Sequence, residues 1–162
     1  MTGLIREAAE DHWEVEALFD LCFAPGREAL SSYRLRDGVQ PVADLCLVSR
    51  DEGGVLGGAI RCWPVQIDGG ETILLGPVAV HPTRQGEGLG ALLIYRVLEI
   101  AKELGWARVM LVGDASYYGR FGFKRLGGIT MPPPTNPDRI LGVALVEGAW
   151  TDLAGEVSKA GD

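Results

Sequence analysis

The sequence has little of what builds a metal centre or a disulfide framework. Its 162 residues hold three cysteines and two histidines. Cys22, Cys46 and Cys62 are odd in number, far apart and each inside an apolar stretch, so they read as reduced core thiols. There is no C-x-x-C or H-x-x-x-H spacing, and His12 and His81 stand alone, so no metal is expected. No apolar run approaches the roughly 18 residues of a membrane helix. The opening MTGLIREAAEDHWE is polar and acidic, unlike a signal peptide, which points to the cytoplasm. Positive charge is scarce too: 15 Lys and Arg against 22 Asp and Glu give a net −7 with no basic stripe. That argues against a nucleic-acid partner and mildly favours cationic molecules such as amines.

What is present is enough for a full core. Hydrophobic residues make up 47% and charged residues 23%, and the length suits one domain spanning 1–162. Leu4-Ile5-Arg6 reads as a short strand. A helix is expected from Glu10 to Phe23, with Asp11 as N-cap, a buried face of Val15, Leu18, Phe19 and Cys22, and a stop at Ala24-Pro25-Gly26. Arg27 to Leu35 is a weaker helix, and Arg36-Asp37-Gly38 turns the chain. Leu45–Ser49 and Val55–Ile67 are strands joined through Asp51-Glu52-Gly53-Gly54. Asp68-Gly69-Gly70 turns into a third, making an antiparallel meander. Ala107–Val112 and Ile140–Val146 are further strands, and Gly122–Arg125 opens another. The segment MPPPTNP must be loop. The tail to Asp162 is given no element.

The chain is organised around Thr72–Leu104. Thr72–Val80 is an apolar strand, interrupted by Gly76-Pro77, where a bulge or splay is expected. Gln85-Gly86-Glu87-Gly88-Leu89-Gly90 follows, then a helix ended by Gly105. Leu89, Leu93, Val97, Ile100 and Leu104 are spaced to share its buried face. A helix N-terminus with unpaired N–H groups and glycines in front of it binds anions, phosphates above all. The spacing fits neither a P-loop, which needs Gly-Lys-Ser/Thr, nor the G-x-G-x-x-G dinucleotide fingerprint.

It does match Q/R-x-x-G-x-G/A, and one strand later comes Tyr-x-x-x-Gly-Phe at Tyr118, Gly122 and Phe123. At these two points the sequence resembles the GNAT superfamily of N-acetyltransferases. The strings LLGPVAVHP and LVGDASYYGRFGF look like its bacterial YhbS-like branch. The specific part covers about Leu74–Phe123. The resemblance implies an α+β fold: a single open, mostly antiparallel sheet with a central splayed parallel pair and helices on both faces. It implies acetyl-CoA as cofactor, with the pantetheine arm beside Val78, Ala79 and Val80. The pyrophosphate would lie on the N–H groups of Gln85, Gly86, Glu87, Gly88, Leu89 and Gly90, with Ala91 a further contact of the cofactor.

The same resemblance makes Tyr118 the general acid that protonates the departing thiolate, and a contact of the cofactor. Asp114 stands where many relatives place Asn against the pantetheine arm; contact with CoA, a role as base and capping of a short helix all stay open for it. His81, Glu71 and an ordered water chain are the other candidates for the base, and Arg120 is a candidate CoA-phosphate contact. The acceptor amine is expected against residues 24–40, the loop around 68–70 and the Pro-rich loop near 132–137. Homodimers are common in this fold, and nothing in the sequence fixes one. Two other readings compete: a non-catalytic acyl-CoA-binding or sensing domain of the same fold, and a nucleotide-dependent oxidoreductase, whose glycine spacing is wrong.

Overall fold

The computed structural model describes residues 3–23 and 31–161. The predicted stop at Ala24-Pro25-Gly26 and the first half of the weaker helix lie outside them. Elements run β1 (Gly3–Arg6), α1 (His12–Cys22), α2 (Ser31–Arg34), β2 (Leu47–Arg50), β3 (Leu56–Ile67), β4 (Gly70–Val80) and α3 (Leu89–Glu103). Then come β5 (Arg108–Val112), α4 (Ala115–Tyr118), β6 (Lys124–Arg125), β7 (Ile129–Thr130), β8 (Ile140–Ala144) and β9 (Gly155–Lys159). The strands line up β1-β2-β3-β4-β5-β8-β6, and β9 pairs both β3 and β7. The meander forms because Asp68-Gly69 closes a two-residue hairpin with both residues at positive φ, the conformation a tight right-twisted turn needs.

Strand periodicity sorts side chains onto two faces. Ile73, Leu75, Val109 and Leu111 face α3, while Leu74 and Met110 face the opposite side with Val65, Ile67 and Val157. Farther along that opposite side, α1 packs Val15, Leu18 and Phe19 onto Val48, Ala59 and Ala79. Helices therefore cover both faces, and β4–β5 is the central parallel pair. Gly58 lets α3 approach: a Cβ there would stand 3.0 Å from Leu89 Cδ2 and 3.1 Å from Leu93 Cδ1.

Three expectations change. Leu104 is exposed, and the buried face of α3 is Leu89, Leu93, Ile94, Val97 and Ala101. Leu104 lies on the same side of the helix by spacing, but α3 ends at Glu103 and Leu104 is its C-cap, beyond the last packed turn. Asp11 stands at the N-cap of α1 without a side-chain bond into the helix. Its carboxylate turns back to accept from the Ala8 N–H (2.8 Å) and from Arg50 (2.8 Å). Those donors hold its pKa below the usual value, the Ala8 N–H most, then Arg50. The tail is a strand, β9, with Val157 as its one fully buried side chain.

Candidate functional site

The site begins where β4 leaves β5. Their parallel pairing covers only Ile73↔Val109 and Leu74↔Met110. Beyond it Gly76 takes φ +124°, and the β3–β4 register shifts between Ile60/Cys62, so Gly76-Pro77 bulges as expected. The strands part, and a cavity of about 150 Å³ opens among Tyr33, Arg36, Gly76, Pro77, Val78 and Tyr118.

The edge of β4 facing this gap is paired with no strand beyond Leu74. His81 N–H donates to the Gly57 carbonyl (2.8 Å) on β3. By the alternation of an antiparallel ladder, Ala79 also turns its backbone to β3, and Val78 and Val80 turn theirs to the gap. The Val80 carbonyl there accepts from the Cys22 thiol (3.4 Å) and the Gln85 side-chain amide (3.5 Å).

The gap continues into a groove of about 470 Å³ ending at the N-terminus of α3. Gly86 and Gly88 have φ of +91° and +77°, the left-handed region that other residues enter at a cost. Gly88 is the N-cap and brings no side chain to the helix, whose first bond of this end is Leu92 N–H to the Gly88 carbonyl (3.1 Å). The N–H groups of Leu89, Gly90 and Ala91 therefore have no partner within the helix and point at the groove. Gly90 needs no unusual φ, and a Cβ there would meet Val80 and Tyr117 at ordinary distances, so its lack of a side chain leaves groove space. Arg84 and Arg120 line the same groove. Arg84 is ion-paired with Asp51, and Arg120 lies over the Tyr117 ring at 4.4 Å. Glu87 is not among the residues lining the groove and lies 3.9 Å from Arg84.

Tyr118 joins the two spaces, lining both the cavity and the groove. Its ring packs edge-on with Tyr117 and Phe123. Gly113 makes room for it, since a Cβ there would fall 2.5 Å from Tyr118 Cε2. Burial, then the neighbouring Tyr117, raises the phenol pKa above 10.0, so the hydroxyl is protonated at neutral pH and can donate. Asp114 does not line either space. It caps α4, its Oδ1 accepting from Ser116 N–H (2.9 Å) and Ser116 Oγ (2.9 Å). Those bonds lower its pKa, the Ser116 N–H most. Because the Tyr118 N–H donates to the Asp114 carbonyl (2.9 Å), the cap also fixes where Tyr118 starts.

Other sequence candidates fall elsewhere. His81 Nδ1 accepts from Thr83 N–H (3.2 Å) in the turn after β4. Glu71 sits at the opposite end of β4, paired with Gln66, far along the strand from Gly76. On the other side of the splay, a second cavity of about 500 Å³ shares Tyr33, Arg36 and Pro77 with the first and extends to Glu16, Arg61 and Trp63. Of the segment 24–40, Tyr33, Arg34, Arg36, Asp37 and Gly38 line this cavity, and 24–30 lie outside the described residues. The loop at 68–70 turns toward β9 instead, with Asp68 against Gly155. Pro133 contributes through its carbonyl, which accepts from Arg34 (2.7 Å). Sequence reasoning did not single out Tyr33, Arg36 or Trp63; no local motif marks them. Arg84 directly precedes the glycine-rich turn and could have been found there.

Residues 11–123 match the sequence model of the acetyltransferase (GNAT) family. The chain is 33% identical over 112 residues to the uncharacterized N-acetyltransferase YhbS of Escherichia coli K12, covering 68% of this chain and 66% of that protein. Among solved structures, Escherichia coli YhbS in complex with CoA superposes with TM-score 0.84 at 27% identity, covering 98% of this chain and 89% of that one. A GNAT acetyltransferase from Brucella melitensis in complex with acetyl-CoA gives TM-score 0.73 at 27% identity, with 99% and 97% covered.

Proposed function

The chain belongs to the acetyltransferase (GNAT) family, and on that premise we propose that it moves the acetyl group of acetyl-CoA onto an amine by direct attack in a ternary complex. The observation that carries this reading is the splay at Gly76. It joins a backbone-lined groove on one side to a side-chain-lined cavity on the other, with Tyr118 between them.

Acetyl-CoA supplies the activated acyl group as a thioester. Val78 and Val80 offer the pantetheine arm a strand edge, as an added strand would use it. Ala79 holds that edge in place from within the sheet. Gln85 and the turn Gly86-Glu87-Gly88 deliver the N–H groups of Leu89, Gly90 and Ala91 to the pyrophosphate. An N–H of Val78 or Val80 facing the gap stabilises the oxygen that gains charge during attack, an effect of about 3 kcal/mol per donor. Tyr118 donates its proton to the departing sulfur. A free amine with a pKa of about 10 must first lose a proton. None of the described residues lining the cavity at the splay is a carboxylate or imidazole, so that proton leaves toward the adjoining cavity, where water, His12, Glu16 or Asp37 can take it. Asp114 acts as a positioning residue for Tyr118 and not as the base. We place the reaction in the cytoplasm, where the free thiols of Cys22, Cys46 and Cys62 stay reduced.

Thermal unfolding with acetyl-CoA, CoA and NADH tests the cofactor side. Ligand at a hundred times its Kd stabilises by about 2.7 kcal/mol. A shift with the two CoA species and none with NADH supports the reading; no shift with either CoA species refutes it. Turnover of an amine panel, followed by release of the CoA thiol, separates a catalyst from a domain that only binds acyl-CoA.

A further inference from the structure

The two cavities at the splay differ in what lines them. They share Tyr33, Arg36 and Pro77, which mark the opening between them. Arg36 stands in that opening, its guanidinium carbon 4.0 Å from the Tyr33 ring centre and 5.6 Å from that of Trp63. The larger cavity goes on to His12, Glu16, Asp37 and Arg61. The smaller one goes on to Phe23, Leu74, Leu75, Val78, Leu111 and Val112. Among the described residues, Tyr118 is the one polar side chain that lines the smaller cavity and not the larger.

Backbone geometry makes this apolar end. β4 and β5 pair no farther than Leu74↔Met110, so Leu75 and Leu111, one residue on, are the first to stand across an unpaired gap. Leu111 and Val112 are held on their other side by Leu141 and Ile140 of β8. The space is open at Gly76 as well: among the described residues, a Cβ added there would meet a single atom within 4 Å, Arg36 Nη2 at 3.9 Å.

An amine is charged until it reacts, and a charge is costly among hydrocarbon side chains. It belongs on the larger side, where Glu16 and Asp37 stand. The apolar end is left for the other reactant. An apolar cavity of about 150 Å³ is large enough to hold benzene. The cavity at the splay has about that volume, and an acetyl group would put a single methyl into it. Part of the space must stay open to the thioester carbonyl and the incoming amine, so the chain that fits is short. We propose that the splay is an acyl-chain pocket, and that the donor it holds best is propionyl- or butyryl-CoA, with acetyl-CoA a smaller ligand of the same site. The chain runs from the thioester beside Tyr118 and Val78 into the gap between β4 and β5. This rests on the acetyltransferase reading and widens the donor class of that same site.

Calorimetric titration with CoA and with acetyl-, propionyl-, butyryl- and octanoyl-CoA tests it. Kd should fall by about threefold to fourfold for each methylene from acetyl to butyryl, the gain for burying one such group. It should rise again at octanoyl, which outgrows the pocket. Val112→Phe adds bulk to one wall, so the butyryl-to-acetyl ratio should approach unity while acetyl-CoA affinity stays within about threefold. If Val112→Phe does not fold, the wild-type series decides alone. The proposal is overturned if acetyl-CoA binds as tightly as propionyl- and butyryl-CoA, or if Kd keeps falling through octanoyl-CoA, as for a chain lying on the surface. A butyryl preference that survives unchanged in Val112→Phe overturns it too. Failure of every CoA species to bind would sink the acetyltransferase reading with it. Binding of acetyl-CoA with no gain for longer chains would sink only the proposal.

Discussion

The two sides of the splay are built by different means. The groove side is made largely of backbone: the open edge of β4 at Val78 and Val80, and the first N–H groups of α3. Those backbone parts are close in sequence, within residues 78–91, with Tyr117, Tyr118 and Arg120 lining the groove beside them. The cavity side is made of side chains from separated places: Glu16 on α1, Tyr33 on α2 with Arg36 just after it, Arg61 and Trp63 on β3. Backbone recognition needs a particular local conformation, and local conformation leaves a motif of glycines. Side-chain recognition needs only that distant residues converge, which leaves none. The groove can therefore serve one invariant cofactor while the cavity changes its clientele without disturbing the fold.

Tyr118 stands on the boundary, so changing it tests the comparison hardest. Tyr118→Phe should cut kcat by about 10²–10⁴-fold, the usual range for a general acid, with acetyl-CoA affinity within about threefold. Unchanged turnover would remove Tyr118 from the acid role and leave the boundary without chemistry. Because burial raises its pKa above 10.0, tyrosine ionisation should not lower kcat as pH rises to 10. A basic limb falling near pH 8 that vanishes in Tyr118→Phe would contradict that environment.

Gly113→Ala comes next. The new methyl would need space now held by the Tyr118 ring, 2.5 Å away, and by Leu111. Overpacking of this kind costs about 1–3 kcal/mol, so lower Tm and lower kcat should appear together. Full activity at wild-type Tm would show that the ring position is not fixed by this contact.

On the groove side alone, Gly88→Ala should cost about 1–2 kcal/mol for its left-handed φ and raise the Kd for acetyl-CoA. Selectivity among acceptors should not move, because the cavity side shares no residue with this turn. Calorimetric titration with CoA, alongside the acceptor panel, measures both. A change in acceptor preference would break the division between the two sides.

The smallest effect is expected at Asp114. Its pKa is lowered, mainly by the Ser116 N–H, so the carboxylate form is favoured by folding. The stabilisation is present above the unfolded-state value near 3.8 and is lost as pH falls through the lower folded value. At neutral pH Asp114→Asn keeps a capping oxygen and should keep Tm and most turnover, whereas Asp114→Ala lowers both through Tyr118. Loss of turnover in Asp114→Asn at unchanged Tm would make Asp114 the base.

Legibility followed the range of the interactions. The Asp68-Gly69 hairpin, the bulge at Gly76-Pro77 and the turn before α3 were readable because each is a conformational demand met by adjacent residues. Strand β9 was not, since a single buried Val157 gives no periodicity; the strand exists because the edge of β3 between Val65 and Ile67 is there to pair with. Asp11 looked like an N-cap by position, but Arg50, 39 residues away, drew its carboxylate backwards. Leu104 fitted the apolar spacing and is still exposed, because α3 ends at Glu103 and leaves Leu104 at the C-cap.

By itself the sequence determined the strand–turn–helix unit and the glycine-rich turn that opens α3, which depend on short-range backbone geometry and residue type, while Tyr118 was singled out only through the family resemblance. Only the tertiary structure decided which backbone edge of β4 is open, that Asp114 caps rather than faces the cleft, and that Arg36 lies between Tyr33, Trp63 and Gly76. Those outcomes depend on contacts between segments whose spacing along the chain carries no information about their distance in space.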